Sequence, residues 1–278
     1  MTYVAFTVDV DRDANIPLQG KFGGVSRPIG GDHTPRFSSS ARGLELLVDL
    51  LDEIGVRGTF FLEAKAASEI SKELSIRDLL AKHEIACHGF EHEDLTGKDT
   101  GIPLSKDDIY FILENANDTL EQLTGRKPIG FRAPYLNVGE DVLDVVHEVG
   151  FEYDSSLTKD LSDHPVSPWL LPNELIEVPL AIGKDVQGKR IYSYLWAMHE
   201  EKRVPGDYIR MMERAGGGFL VLATHSWHLV ETFLRGKLDS EQVKRALVSV
   251  RSVLEGALDL ELEFLSIEDF LIRHMGRD

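Results

Sequence analysis

The feature that most constrains this chain is an alternation. Short β-branched or aromatic runs recur along it, and longer segments with an apolar residue every three or four positions separate most of them. The strand-like runs are 3–8, 58–62, 84–88, 129–132, 152–154, 175–178, 219–224 and 263–265. Helical spacing predicts helices over 41–54, 66–82, 106–123, 140–149, 205–215 and 240–258; in the first of these Leu44, Leu47, Val48 and Leu51 share one face. Glycines at 55, 125, 150 and 216–218 stand where such helices stop. Strand, helix, strand in repeated order argues for a parallel sheet. Seven or eight such units favour a distorted, closed or nearly closed (β/α) barrel over an open sheet. No internal repeat, low-complexity tract or clean linker divides the chain, so 1–278 reads as one domain.

Composition narrows the partners. Hydrophobic residues make up 42% of the 278 residues, enough for a sizeable core. Lys and Arg total 30 against 47 for Asp and Glu, a net charge of -17. Such a chain repels phosphate backbones and anionic bilayers, so nucleic acid is not an expected partner. The substrate is then neutral, or acidic and held at a locally positive site. Cys87 is the sole cysteine, which rules out an intramolecular disulfide. The first residues lack a basic segment and turn acidic at Asp9, unlike a signal peptide. No apolar run approaches the ~20 residues of a membrane span. A cytoplasmic protein is the expectation.

In parallel barrels, catalytic groups sit at the carboxyl ends of strands. Here the first strand ends in Asp9 and Asp11, and the third in His88 with His92 four residues on. The fourth runs into Arg132, the fifth into Asp154, Ser155 and Ser156, and the seventh into His225. All would ring one mouth of the barrel. Two histidines and one carboxylate, as Asp11, His88 and His92 could supply, are an open ligand set for zinc or a related divalent metal, leaving room for water. The plainer reading of His88 and His92 is a pair of surface histidines on one helical turn. The strand-like run before His88 and Gly89 after it argue against a helix there.

Six segments together resemble the ordered motifs of the polysaccharide deacetylases: Phe-Thr-Val-Asp-Val-Asp (6–11), His-Gly-Phe-Glu-His (88–92), Phe-Arg-Ala-Pro-Tyr (131–135), Tyr-Asp-Ser-Ser-Leu (153–157), Ile-Glu-Val-Pro (176–179) and Leu-Ala-Thr-His (222–225). The resemblance implies a distorted barrel and a hydrolase that removes an acetyl group from an N-acetylated sugar. It implies Asp9 as general base and Asp11, His88 and His92 as metal ligands. Arg132 would orient and tune the base, and His225 would be the general acid. Tyr135 falls where the family often uses a backbone amide to hold the oxyanion. The metal would be one divalent ion, zinc first, with cobalt, nickel or iron as alternatives.

Two departures bear on the substrate. Val10 separates Asp9 from Asp11, where most members have adjacent aspartates, and Gly89 stands where Ser or Thr is usual. Both are similar to an intracellular subgroup with peptidoglycan-deacetylase-like and allantoinase-like enzymes. Residues two apart in a strand face one side, so the spaced pair can still converge. A small or cyclic amide is therefore the alternative substrate, and a sugar-binding protein without catalysis is the alternative of another class.

Other candidates carry plainer readings. Asp13 reads as a loop carboxylate and His33 as a surface histidine on the irregular stretch 12–39. Trp227 packs or lines the substrate pocket, and His228 faces either solvent or substrate. His164 and His199 receive no role, and Cys87 points into packing. Asp154-Ser155-Ser156 reads as a structural turn, since no Gly-x-Ser-x-Gly elbow surrounds it. The glycines 216–218 precede a strand and so form a helix stop, not a phosphate loop. Trp169, Tyr192, Tyr194 and Trp196, in the irregular zones 157–174 and 183–204, are packing aromatics or a sugar-stacking rim. The oligomeric state is not legible, with the aromatics of 183–204 a candidate homo-oligomer contact.

Overall fold

The opening strand, Thr2–Val10, separates two environments through its alternating side chains. Val4, Phe6, Val8 and Val10 join the larger apolar cluster, with residues of helices Phe37–Ile54 and Lys106–Thr124. Ala5 joins a smaller cluster with Phe61, Ala86, Tyr153, Val221 and Ala223, which fills the inside of a curled sheet. Thr7 and Asp9 share the face of Ala5. This computed structural model describes residues 1–12, 16–17, 24–25, 34–162 and 165–276.

The opening strand pairs in parallel with Gly218–His225 on one side and Thr59–Leu62 on the other. Glu84–Cys87, Gly130–Phe131, Tyr153–Asp154 and Ile176–Glu177 then follow in order, all parallel. Two residues later Leu180–Lys184 begins, and Leu180 pairs in parallel with Val221. The segment 176–184 thus touches both ends of the run of strands. The result is an incomplete barrel in an α/β fold, with an antiparallel hairpin to Arg190–Tyr192 at one edge.

Each strand expected from the sequence is present, within a few residues. Three of the differences bear on how the barrel is built. The helix expected over 66–82 is two shorter ones, Ala64–Ile70 and Ile76–Leu79, because the Ser75 side chain accepts a hydrogen bond from the Asp78 amide and caps a new start. Strand Leu180–Lys184 lies across a predicted boundary of the irregular zone. Helix Ile267–Met275, not expected, buries Ile267, Phe270 and Leu271 against the inner cluster, with Phe270 stacked on Phe219 at 3.9 Å. Its cap, Ser266, accepts from the Asp269 amide.

The narrow interior sets one glycine. A Cβ on Gly130 would lie 1.9 Å from the Tyr153 ring, so only glycine lets that tyrosine turn inward between neighbouring strands.

Candidate active site

Sheet register brings the first pair together. Asp9 lies opposite His225 on the adjacent strand. Asp9 Oδ1 accepts a hydrogen bond from Arg132 Nη1 at 2.7 Å, and Oδ2 accepts from the Tyr194 hydroxyl at 2.5 Å. Arg132 is fully buried. It also donates to Thr7 Oγ1 (2.9 Å), to the Ser155 carbonyl (3.0 Å) and to Ser155 Oγ (2.9 Å), and its guanidinium lies 4.0 Å from the centre of the Phe61 ring. Burial pushes the Asp9 carboxyl up, but Arg132, then His88, His225 and the Tyr194 hydroxyl outweigh it and hold the group at about 2. Ser155 is therefore a structural support for Arg132, as its turn suggested. Asp154 plays a similar part by accepting from the amide and hydroxyl of Ser156.

The second group is the ligand set. His88 follows strand Glu84–Cys87, and its Nδ1 lies 2.7 Å from the Arg132 carbonyl. That contact assigns the proton to Nδ1 and leaves the Nε2 lone pair available. Gly89, at φ +76°, turns the chain so that His92, itself at φ 57°, returns toward Asp11. His92 Nε2 is 3.3 Å from Asp11 Oδ2. One ligand atom from each of Asp11, His88 and His92 lies within 4.8 Å of the others, and all three residues are buried. Ligands at roughly 2.0–2.2 Å on a tetrahedral ion are roughly 3.3–3.6 Å apart; the 3.3 Å between His92 and Asp11 matches that spacing, and the set as a whole is compact enough to close on a small divalent ion. Burial lowers the pKa of His88, and burial followed by Arg12 lowers that of His92 to about 3, so both rings are neutral, as ligands must be.

Buried charges tie this turn down. Arg12 Nη2 donates to the Glu91 carbonyl at 2.7 Å, and the Arg12 amide donates to Glu63 Oε2 at 3.0 Å. Neither Arg12 nor Glu63 was singled out from the sequence, where both look like ordinary surface charges.

A cavity of about 260 Å³ opens onto Asp9, His88, His92, Tyr135, Tyr194, Trp196 and His225, among others. His225 Nε2 is 3.0 Å from the Tyr194 hydroxyl and 3.9 Å from Asp11 Oδ2. Burial lowers the His225 pKa, opposed by Asp11 and Asp9. Tyr135 lines the wall at φ 58°, its ring 4.6 Å from that of His92.

Two expectations are corrected. Trp227 does not line the cavity: it is fully buried, stacked on His228 and Phe233 and edge-on to Trp196, and Trp196 takes the place on the wall. His228 faces neither solvent nor substrate, since it too is fully buried with Nε2 2.8 Å from Glu200 Oε1. Tyr194 is the residue that sequence reasoning understated; its only signal was an aromatic cluster in an irregular stretch. Cys87 is buried in the outer cluster, away from the ligands. Asp13, His33 and His164, with most of the stretch 12–39, lie outside the described residues.

An incomplete α/β barrel with titratable groups gathered at the carboxyl ends of its strands has the layout of a (β/α)-barrel enzyme. Comparison with known proteins adds that residues 37–153 match the family model described as Polysaccharide deacetylase. His88, His92, Arg132 and Tyr135 fall inside it; Asp9, Asp11 and His225 fall outside. The chain is 34% identical over 158 residues to the peptidoglycan deacetylase-like protein FGM2 of Gibberella zeae, a match covering 56% of this chain and 44% of that protein. The chain thus spans less than half the length of that relative. Among solved structures, a Mycobacterium smegmatis protein assigned to the polysaccharide deacetylases superposes with a TM-score of 0.65 at 23% identity, covering 99% of this chain and 90% of that one. Puue allantoinase superposes with a TM-score of 0.62 at 17% identity, covering 98% and 91%. At these identities the two structures share the fold.

Proposed function

We propose that this protein is a metal-dependent hydrolase that removes the N-acetyl group from an amino sugar or short oligosaccharide, with 1–278 acting as one catalytic domain. The observation that carries this reading is the convergence of Asp11, His88 and His92 within 4.8 Å, beside the paired Asp9 and Arg132 and facing His225.

Asp11, His88 and His92 would hold one divalent ion, zinc first and otherwise cobalt, nickel or iron, since nitrogen and oxygen donors do not choose among these. The ion would supply Lewis acidity toward an acyl carbonyl. Asp9, kept ionised, takes a proton from water in the cavity, and Arg132 holds it in place. Tyr194 donates to the other Asp9 oxygen and so fixes the plane of the carboxylate. His225 gives its Nε2 proton to the departing nitrogen as the proton that Asp9 took from water is relayed back to it through the Tyr194 hydroxyl, which touches both groups. Tyr135 forms the wall beside the ligands, where the acyl oxygen would be held.

The test is free acetate released from N-acetylglucosamine oligomers by zinc- or cobalt-loaded protein. Asp9→Asn and His225→Ala should each lose on the order of 10²-fold or more in rate. Near-normal turnover in either variant removes that residue from the scheme. A second reading, hydrolysis of a small cyclic amide, draws support from the modest cavity of about 260 Å³ and from the likeness to an allantoinase. Ring-opened product from allantoin or small imides, without acetate from sugars, would select it. Sugar binding by metal-loaded protein with no turnover would select a non-catalytic binding role.

A further inference from the structure

A second cavity, of about 320 Å³, abuts the first, and Leu136, Tyr194 and Trp196 line both. A substrate whose reacting bond sits between Asp9 and His225 therefore has its remaining part directed past these three side chains. The floor of the second cavity is apolar, with Leu180 and Ile191 almost fully buried. Its charged lining is Arg190 and Arg203, and no carboxylate lines it among the described residues.

Those two guanidiniums stand out in a chain of net charge -17. Arg190 makes no ion pair within 4.0 Å among the described residues; its guanidinium lies 5.2 Å from the centre of the Tyr192 ring, which steadies it and leaves its N–H groups available. Arg203 Nη2 is 3.5 Å from Asp185 Oδ2 and donates to the Arg190 carbonyl at 3.4 Å, which ties the two arginines to one strand end. The nearby carboxylates are already engaged. Asp185 Oδ1 accepts from the amides of Gln187 and Lys189, and Asp160 Oδ1 accepts from the amide and hydroxyl of Ser162. Lys184, paired in register with Arg190, adds a further cation on the same hairpin.

The geometry points to a specificity subsite in this second cavity, in which Arg190 and Arg203 bind an anionic oxygen group, carboxylate or phosphate, on the part of the substrate distal to the reacting amide. The inference rests on the hydrolase reading for the position of that amide. Guanidinium forks match the paired oxygens of either anion, and the apolar floor takes the ring that carries it. A chain that repels anions elsewhere then selects an acidic substrate at one place.

A matched trio tests this: N-acetylglucosamine, its 6-phosphate, and the corresponding uronic acid. Both kcat/KM and calorimetric Kd are measured with the metal-loaded protein and with Arg190→Gln/Arg203→Gln, the fold of the variant being checked by its melting curve. The wild type should favour at least one anionic member about tenfold or more over the neutral sugar, and the variant should bring that ratio to within about twofold of unity. Preference for the uronic acid alone assigns a carboxylate; preference for the 6-phosphate alone assigns a phosphate. Equal handling of all three by the wild type, or a preference that survives the double substitution, overturns the subsite while leaving the hydrolase standing. Arginine-dependent anion binding without release of acetate keeps the subsite and overturns the deacetylase. Absence of both binding and turnover overturns both.

Discussion

The Tyr194 hydroxyl lies 2.5 Å from Asp9 Oδ2 and 3.0 Å from His225 Nε2, so a single phenol spans the groups assigned as base and acid. A hydrogen bond to a charged group contributes about 1.5–3 kcal/mol, which corresponds to roughly 10- to 150-fold in rate. Tyr194→Phe keeps the ring and removes the bridge, so kcat for acetate release should fall within that range and the melting temperature by several degrees, since a buried carboxylate oxygen loses its donor. Turnover within twofold of wild type would show that the hydroxyl is dispensable.

The ligand set makes metal content a measurement independent of substrate. Zinc should bind stoichiometrically by elemental analysis and raise the melting temperature, because an ion that binds only the folded state stabilises it by mass action. A chelator should reverse the shift, and His92→Ala should abolish both the bound zinc and the shift. Full metal loading in His92→Ala would remove that residue from the set.

Glu84 predicts a pH dependence far from the cavity. It is buried at the barrel floor, accepts from Thr59 Oγ1 and the Tyr153 hydroxyl at 2.6 Å each, and burial pushes its carboxyl up from 4.5 to about 7. Between those values the folded chain keeps a proton that the unfolded chain has released. Stability therefore falls as pH rises from 4.5 to about 7, by on the order of 3 kcal/mol from this group, and levels off above. Urea unfolding at pH 5 and pH 8 should show the loss, and Glu84→Gln should flatten it. An unchanged slope in the variant would place the dependence elsewhere.

Helix Phe37–Ile54 sits directly on the turn after His225. A Cβ on Gly43 would lie 1.8 Å from the Ser226 carbonyl oxygen, and the Ser226 amide donates to the Asp9 carbonyl at 3.0 Å. Gly43→Ala should force that turn outward at about 1–3 kcal/mol, lowering the melting temperature by several degrees and displacing His225 enough to slow turnover. Wild-type melting and turnover in this variant would show that the contact relaxes freely.

Much of this was legible in the chain itself. In the opening strand Val4, Phe6 and Val8 alternate with Ala5, Thr7 and Asp9, and the two-residue period of a strand is enough to assign an outer and an inner face. The same reasoning placed Asp9, His88, Arg132 and His225 at strand ends on one rim. Periodicity and residue chemistry are local properties of the backbone, so they can be read without knowing which distant segments meet. Partnership cannot. Arg132 reaches Asp9 across 123 residues and Tyr194 reaches it across 185, the latter from a stretch with no regular spacing. Trp196 and Trp227 carry the same chemistry, yet the path of the chain after His225 buries one and leaves the other on the cavity wall. Nothing local marks Glu63 and Glu84 as buried, yet the packed barrel closes over both. Which groups are desolvated, and beside whom, is set by sheet register and loop path, and those exist only once the whole chain has packed.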